Sequence, residues 1–141
     1  MSNLLHKDLT HKIIGCAYDV HNFLGPGFPE VVYQRALAYE LETRGISFQR
    51  ELELKLFYKD CSKSIGGRRA DFLVADAIIL EIKAIGELTP SHTVQTLNYL
   101  KVWQKEVGLL INFGGPSVEF KRLVLSRQQR PFHQQIQITR D

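Results

Sequence analysis

Asp71, Glu81 and Lys83 are brought together if the two segments that carry them pair as strands. Residues two apart in a strand share a face, so Glu81 and Lys83 point the same way. Asp71 to Val74 and Ile78 to Ile82 read as two strands joined by a short turn, Ala75, Asp76 and Ala77. With that turn Val74 pairs with Ile78, and Asp71 falls opposite Glu81. Opposed side chains sit roughly 5 Å apart at Cβ, where two like charges are destabilising. A divalent cation resolves the conflict. Mg²⁺ prefers carboxylate oxygens and keeps several waters, which suits two acids on an open face, and Mn²⁺ is expected to substitute for it. Such an ion lowers the pKa of its bound water and polarises a phosphoryl oxygen, while a neighbouring lysine stabilises an anionic transition state. By itself D-x9-E-x-K is a common pattern, and a solvated hairpin face is its plain alternative. The surroundings favour chemistry: Ile78, Ile79, Leu80 and Ile82 make the second strand apolar on both sides, hence central. An acid and a lysine in such a strand need a reason.

A third acid is offered by the helix that begins near Pro29. Glu30 lies in its first turn, where a negative charge is favourable in any case. At 100° per residue it projects within about 20° of Leu37 and Leu41, at the end of the buried stripe. Glu40 also borders that stripe. The choice between them is open, with Glu30 preferred. Further along, His92, Gln95 and Tyr99 are spaced three and four apart and share a helix face. They read either as a solvated stripe or as supports for water, phosphate or lysine above the sheet, with Val94, Leu97 and Leu100 as the core candidates beside them.

The elements that must position these residues can be read in order. Asp8 to about Leu24 is a helix, with Leu9, Ile13, Ala17 and Val20 at helical spacing, halted at Gly25, Pro26 and Gly27. The second helix carries Tyr33, Leu37 and Leu41 and ends before Gly45. Ile46 to about Tyr58 forms one or two strands, in which Leu52, Leu54 and Leu56 alternate with Glu51, Glu53 and Lys55. A polar turn over 59–64 precedes the Asp71 hairpin. A third helix runs from about Ser91 to Lys105, then a buried strand over 108–113 and an edge strand from Val118 to Leu125. The tail from Arg127 is expected to be loosely held. The pattern predicts a single mixed α/β domain over 1–141.

Composition sets the limits. The chain has 141 residues, 44% hydrophobic and 23% charged, the balance of an ordinary globular protein. No apolar run approaches the roughly 20 residues that cross a bilayer, and the first residues lack a secretory layout, so no membrane partner and a cytoplasmic setting are expected. Cys16 and Cys61 are far apart, outside zinc-site or disulfide spacing. Net charge is +3, which permits a polyanionic partner without demanding one. Lys63, Arg68 and Arg69 lead into the Asp71 strand, and Lys121, Arg122, Arg127 and Arg130 cluster later, all suited to phosphate contacts.

Asp71 followed by Glu81, Ile82 and Lys83 resembles the signature of the PD-(D/E)XK nuclease superfamily. Gln95-x-x-x-Tyr99 is similar to the helix motif of its RecB-like branch, and Gly27-x-x-Glu30-x-x-Tyr33 to the element that names a small GxxExxY group within it. The likeness runs over about 8–125. Ala70 stands where the superfamily often has proline before the aspartate. The resemblance implies a restriction-endonuclease-like α-β-β-β-α-β core and an Mg²⁺-dependent phosphodiesterase site. Asp71 and Glu81 would be metal ligands with Glu30 as an accessory, third metal-facing acid, Lys83 the transition-state lysine, and Gln95 and Tyr99 supports. The expected substrate is nucleic acid, DNA ahead of RNA, recognised by structure or ends, and a homodimer would allow two-strand cutting. The alternative is a non-catalytic nucleic-acid- or protein-binding module that retains the fold.

Overall fold

The computed structural model describes residues 6–126 and the backbone of residues 136–140. Among these the order is α1 (Lys7–Leu24), α2 (Glu30–Thr43), β1 (Phe48–Tyr58), β2 (Ser64–Val74), β3 (Ile78–Lys83), α3 (Pro90–Trp103), β4 (Val107–Asn112), β5 (Glu119–Val124) and β6 (Ile136–Arg140). The strands form one mixed sheet in the order β5-β4-β3-β2-β1-β6. Only β3 and β4 run parallel, and α3 supplies the crossover that a parallel pair requires. From α2 to β4 the chain follows the restriction-endonuclease-like α-β-β-β-α-β order, with helices on both faces of the sheet.

Helices α1 and α2 cover one face. Ile13, Cys16, Ala17 and Val20 of α1 and Tyr33, Leu37 and Leu41 of α2 pack on Phe72, Ile78, Leu80, Ile82, Leu109 and Ile111. The other face carries α3: Leu100, Val102 and Trp103 pack on Leu54, Leu56, Leu73 and Ile79. α3 sits close because Gly108 has no side chain, and a Cβ there would lie 3.2 Å from the Leu100 side chain. Val94 is exposed, against expectation. It stands about 200° around the helix from the buried Thr96, so the stripe Thr96, Leu100, Trp103 turns it outward.

Two further differences from expectation concern the strands. The chain over 64–70, read as the lead-in to a short strand, is part of an eleven-residue β2 paired with β1 along most of its length. Residues 136–140 are not a loose tail, because they pair with β1 from Leu54 to Tyr58 as an edge strand. Arg127, Arg130 and the rest of 127–135 lie outside the described residues.

The α1–α2 turn is closed by a buried tyrosine. Gly25 and Gly27 adopt φ of 71° and 108°, a left-handed conformation that costs glycine little. The Tyr33 hydroxyl donates to the Gly25 carbonyl at 2.6 Å and accepts from the Phe28 N–H at 3.3 Å. Its ring stacks on Phe113 at 4.8 Å. The turn that delivers Glu30 is thereby tied to the end of β4. Tyr33→Phe is expected to lower unfolding free energy by about 1–2 kcal/mol, since two backbone groups lose their partner. Urea denaturation checks this, and an unchanged midpoint would remove the tyrosine's structural role.

Candidate active site

The hairpin register places the acids as the sequence predicts. Val74 pairs with Ile78, Leu73 with Ile79 and Phe72 with Leu80. The ladder stops there: the Ile82 N–H is taken by the Asp71 carboxylate, at 2.8 Å, in place of a β2 carbonyl. Asp71 therefore acts as a side-chain continuation of the sheet and lies against Glu81.

Glu81 is only 4% exposed, and its Oε1 has no hydrogen-bond partner among the described residues. Burial, and after it the neighbouring Asp71 carboxylate, push its pKa up to about 10, with Lys83 pulling the other way. Lys83 is half-buried, and its Nζ donates to Gln95 Oε1 at 3.2 Å. Tyr99, one turn further along α3, is half-buried over the acids. Burial and then Glu81 raise its pKa, Arg68 lowers it, and Asp71 raises it again. Its ring meets Trp103 edge-on at 5.7 Å.

Glu30 reaches the same place from α2. Its pKa is raised, first by burial and then by Asp71, and lowered by Lys83. Glu40 points elsewhere, joined to Arg44, which also pairs with Asp19. Of the two acids left open by the sequence, Glu30 is the one placed beside Asp71. His92 does not join the group: its Nδ1 accepts from the Thr89 N–H at 3.0 Å and completes the cap of α3.

Several supporting residues were not legible in the sequence. Gln34 bridges Glu30, at 3.5 Å, and the Arg50 guanidinium, at 3.4 Å, and Arg50 lies 5.5 Å from the Phe72 ring centre. Asn112 is fully buried and bonds both backbone groups of Ile85, the Gly114 N–H and Glu119. It fixes the chain as it leaves Lys83. The one signal for it was a lone amide closing an otherwise apolar strand. Asn98 accepts from Arg68 Nε at 2.9 Å.

The donor set suits a hard cation. Two carboxylates meet, one has an unpartnered buried oxygen, and Mg²⁺ or Mn²⁺ takes such oxygens while keeping waters. Among the described residues no group of three His, Cys, Asp or Glu side chains is gathered closely enough to hold an ion by itself. Glu30 is therefore not drawn into one cage with Asp71 and Glu81.

Fold and site together define a restriction-endonuclease-like protein with an acid–acid–lysine centre. Residues 7–123 match the family model described as the PD-(D/E)XK nuclease superfamily. The chain belongs to that superfamily. No curated protein matches it. Among solved structures it is similar to the crystal structure of SSO0001, with a TM-score of 0.56 and 19% identity over 84% of this chain. The match covers 58% of that chain's length, and at this identity the likeness bears on the fold alone.

A carboxyl whose folded pKa stands above its unfolded value of 4.5 costs nothing below that pH and destabilises increasingly as pH rises toward 10. In chelator, Glu81→Gln is expected to be more stable than the wild type by up to about 3 kcal/mol at neutral pH, and equally stable near pH 4.5. Calorimetry of both proteins over that range tests it. A gap that fails to widen with pH would contradict the buried-acid reading.

Proposed function

We propose that this protein is a divalent-metal-dependent nuclease that hydrolyses phosphodiester bonds in nucleic acid, DNA ahead of RNA, directed by structure or ends. It would be a member of the GxxExxY group of the RecB-like branch, working in the cytoplasm. The observation that carries this reading is the meeting of Asp71, Glu81 and Lys83 on one sheet face beneath Gln95 and Tyr99, with Glu81 Oε1 unpartnered. Asp71 and Glu81 would hold Mg²⁺ or Mn²⁺, which would supply a water of lowered pKa and polarise the phosphoryl oxygen.

The chain's own groups do the rest. Gln95 holds the Lys83 ammonium on the acid side of the sheet, where it stabilises charge developing on the transferred phosphoryl oxygens. Tyr99 and Trp103 limit water above the acids. Glu30, whose pKa burial raises, would orient the attacking water and accept its proton. No helix among the described residues is long and apolar enough to cross a membrane.

The test is cleavage of single-stranded, duplex, branched and flapped DNA, and of RNA, with Mg²⁺ or Mn²⁺. Lys83→Ala and Asp71→Asn are expected to lower the rate at least about 100-fold. Glu30→Gln should lower it more than Glu40→Gln. A wild type that cuts nothing, or variants that cut equally well, would reject the assignment, and binding without cleavage would favour the non-catalytic module.

The metal carries its own prediction. Glu81 must lose its proton to become a ligand, so Mn²⁺ affinity is expected to rise with pH between about 6 and 9, by up to tenfold per unit. Calorimetric titration in buffers of different ionisation enthalpy would show the proton released. A pH-independent affinity with no proton release would place the ion elsewhere.

A further inference from the structure

Helix α3 holds two cations by neutral amides on one face. Gln95 takes Lys83, and one turn later Asn98 takes Arg68. The two anchors are separated by roughly 4.5 Å along the helix axis, and Tyr99 lies beside them, sensing both the acids and Arg68.

The arginines of β2 divide sharply. Arg69 faces its cross-strand partner Glu53 and pairs with it at 3.5 Å. Arg68 points to the α3 side. Its Nε donates to Asn98 Oδ1 at 2.9 Å and its Nη1 to the Gly67 carbonyl at 2.9 Å. Both acceptors are neutral, and among the described residues no carboxylate pairs with it. An exposed arginine normally roams or pairs with an acid. This one is oriented while its charge stays uncompensated, and no contact among the described residues engages Nη2. A guanidinium held in that way is preorganised for a phosphate oxygen, which it recognises through directed N–H groups as well as charge.

We propose that Arg68, oriented by Asn98, binds a non-scissile phosphodiester of the substrate strand, next to the one at Lys83. Arg68 is thus a substrate-positioning residue, and Asn98 acts through it. The inference rests on the nuclease reading for the location of the scissile phosphate, but the phosphate contact itself does not require turnover. Gly66 and Gly67 keep the strand beside Arg68 free of side chains.

The experiment measures binding of a short labelled DNA strand by fluorescence anisotropy over a salt series, with Ca²⁺ in place of Mg²⁺. Arg68→Ala is expected to weaken binding about tenfold and to reduce the slope of log affinity against log salt by about one contact. Arg68→Lys should restore the slope and part of the affinity. Asn98→Ala, which keeps the charge but releases it, should weaken binding a few-fold with the slope intact. Replacing single phosphates by neutral methylphosphonates should reveal one position, adjacent to the scissile one, that matters to the wild type and not to Arg68→Ala. Wild-type affinity, slope and methylphosphonate profile in Arg68→Ala would overturn the inference even if the protein cleaves. If nothing is cleaved and the coupling persists, the phosphate site stands and the nuclease reading falls.

Discussion

Burying a carboxyl in the middle of a sheet, beside a second carboxyl, is costly, and the rest of the structure is arranged around keeping it there. Glu81 cannot turn away. Its strand has β2 on one side and β4 on the other, and its neighbours Leu80 and Ile82 anchor the opposite face in the α1–α2 core. Neither can the sheet spread to admit water, because three residue pairs lock β2 to β3 immediately after Asp71. What yields is the ladder itself: Asp71 accepts the Ile82 N–H and lets the strands part where the acids face each other. A bound cation would recover the electrostatic cost, so the same carboxyl that weakens the empty fold makes metal affinity possible.

Both faces of the sheet serve this pair. On one face α3 lies close over Gly108 and supplies Gln95, Asn98 and Tyr99. From the other, α2 sends Glu30 around the sheet margin, held by the Tyr33 closure of the preceding turn and braced through Gln34 and Arg50. Asn112 links the two, since it ties the segment after Lys83 to the end of β4, where Phe113 receives the Tyr33 ring. Packing and site geometry therefore depend on the same residues.

The hairpin was legible because a three-residue turn and a two-residue side-chain period leave one register. Helical angle could bring both Glu30 and Glu40 to the buried stripe, but it could not choose between them. Arg44 made the choice, by holding Glu40 together with Asp19 of α1, a contact fixed only once the helices pack. His92 shared a face with Gln95 and Tyr99 by spacing, yet it is spent on the helix cap. The alternation of Leu52, Leu54 and Leu56 was clear, but the face they occupy was not. Phe72 packs with α1 and α2 whereas Ala70, two residues earlier, packs on the α3 side. That switch falls where Glu51, between the β1 partners of those two residues, takes a left-handed φ of 52°, and nothing in a glutamate announces it.

The same switch decides where positive charge is felt. It turns Arg68 toward α3 and leaves Arg69 to Glu53 on the opposite face. Other described ion pairs, Arg44 with Asp19 and Glu40 and Lys105 with Asp76, neutralise charge away from the acids. A formal excess of +3 is modest for a chain that meets a polyanion. Its effect depends on which cations are cancelled. Amide anchors orient a cation without neutralising it, whereas carboxylate anchors do both, so the choice of Gln95 and Asn98 over acids keeps the field of Lys83 and Arg68 directed at whatever anion approaches the Asp71–Glu81 pair.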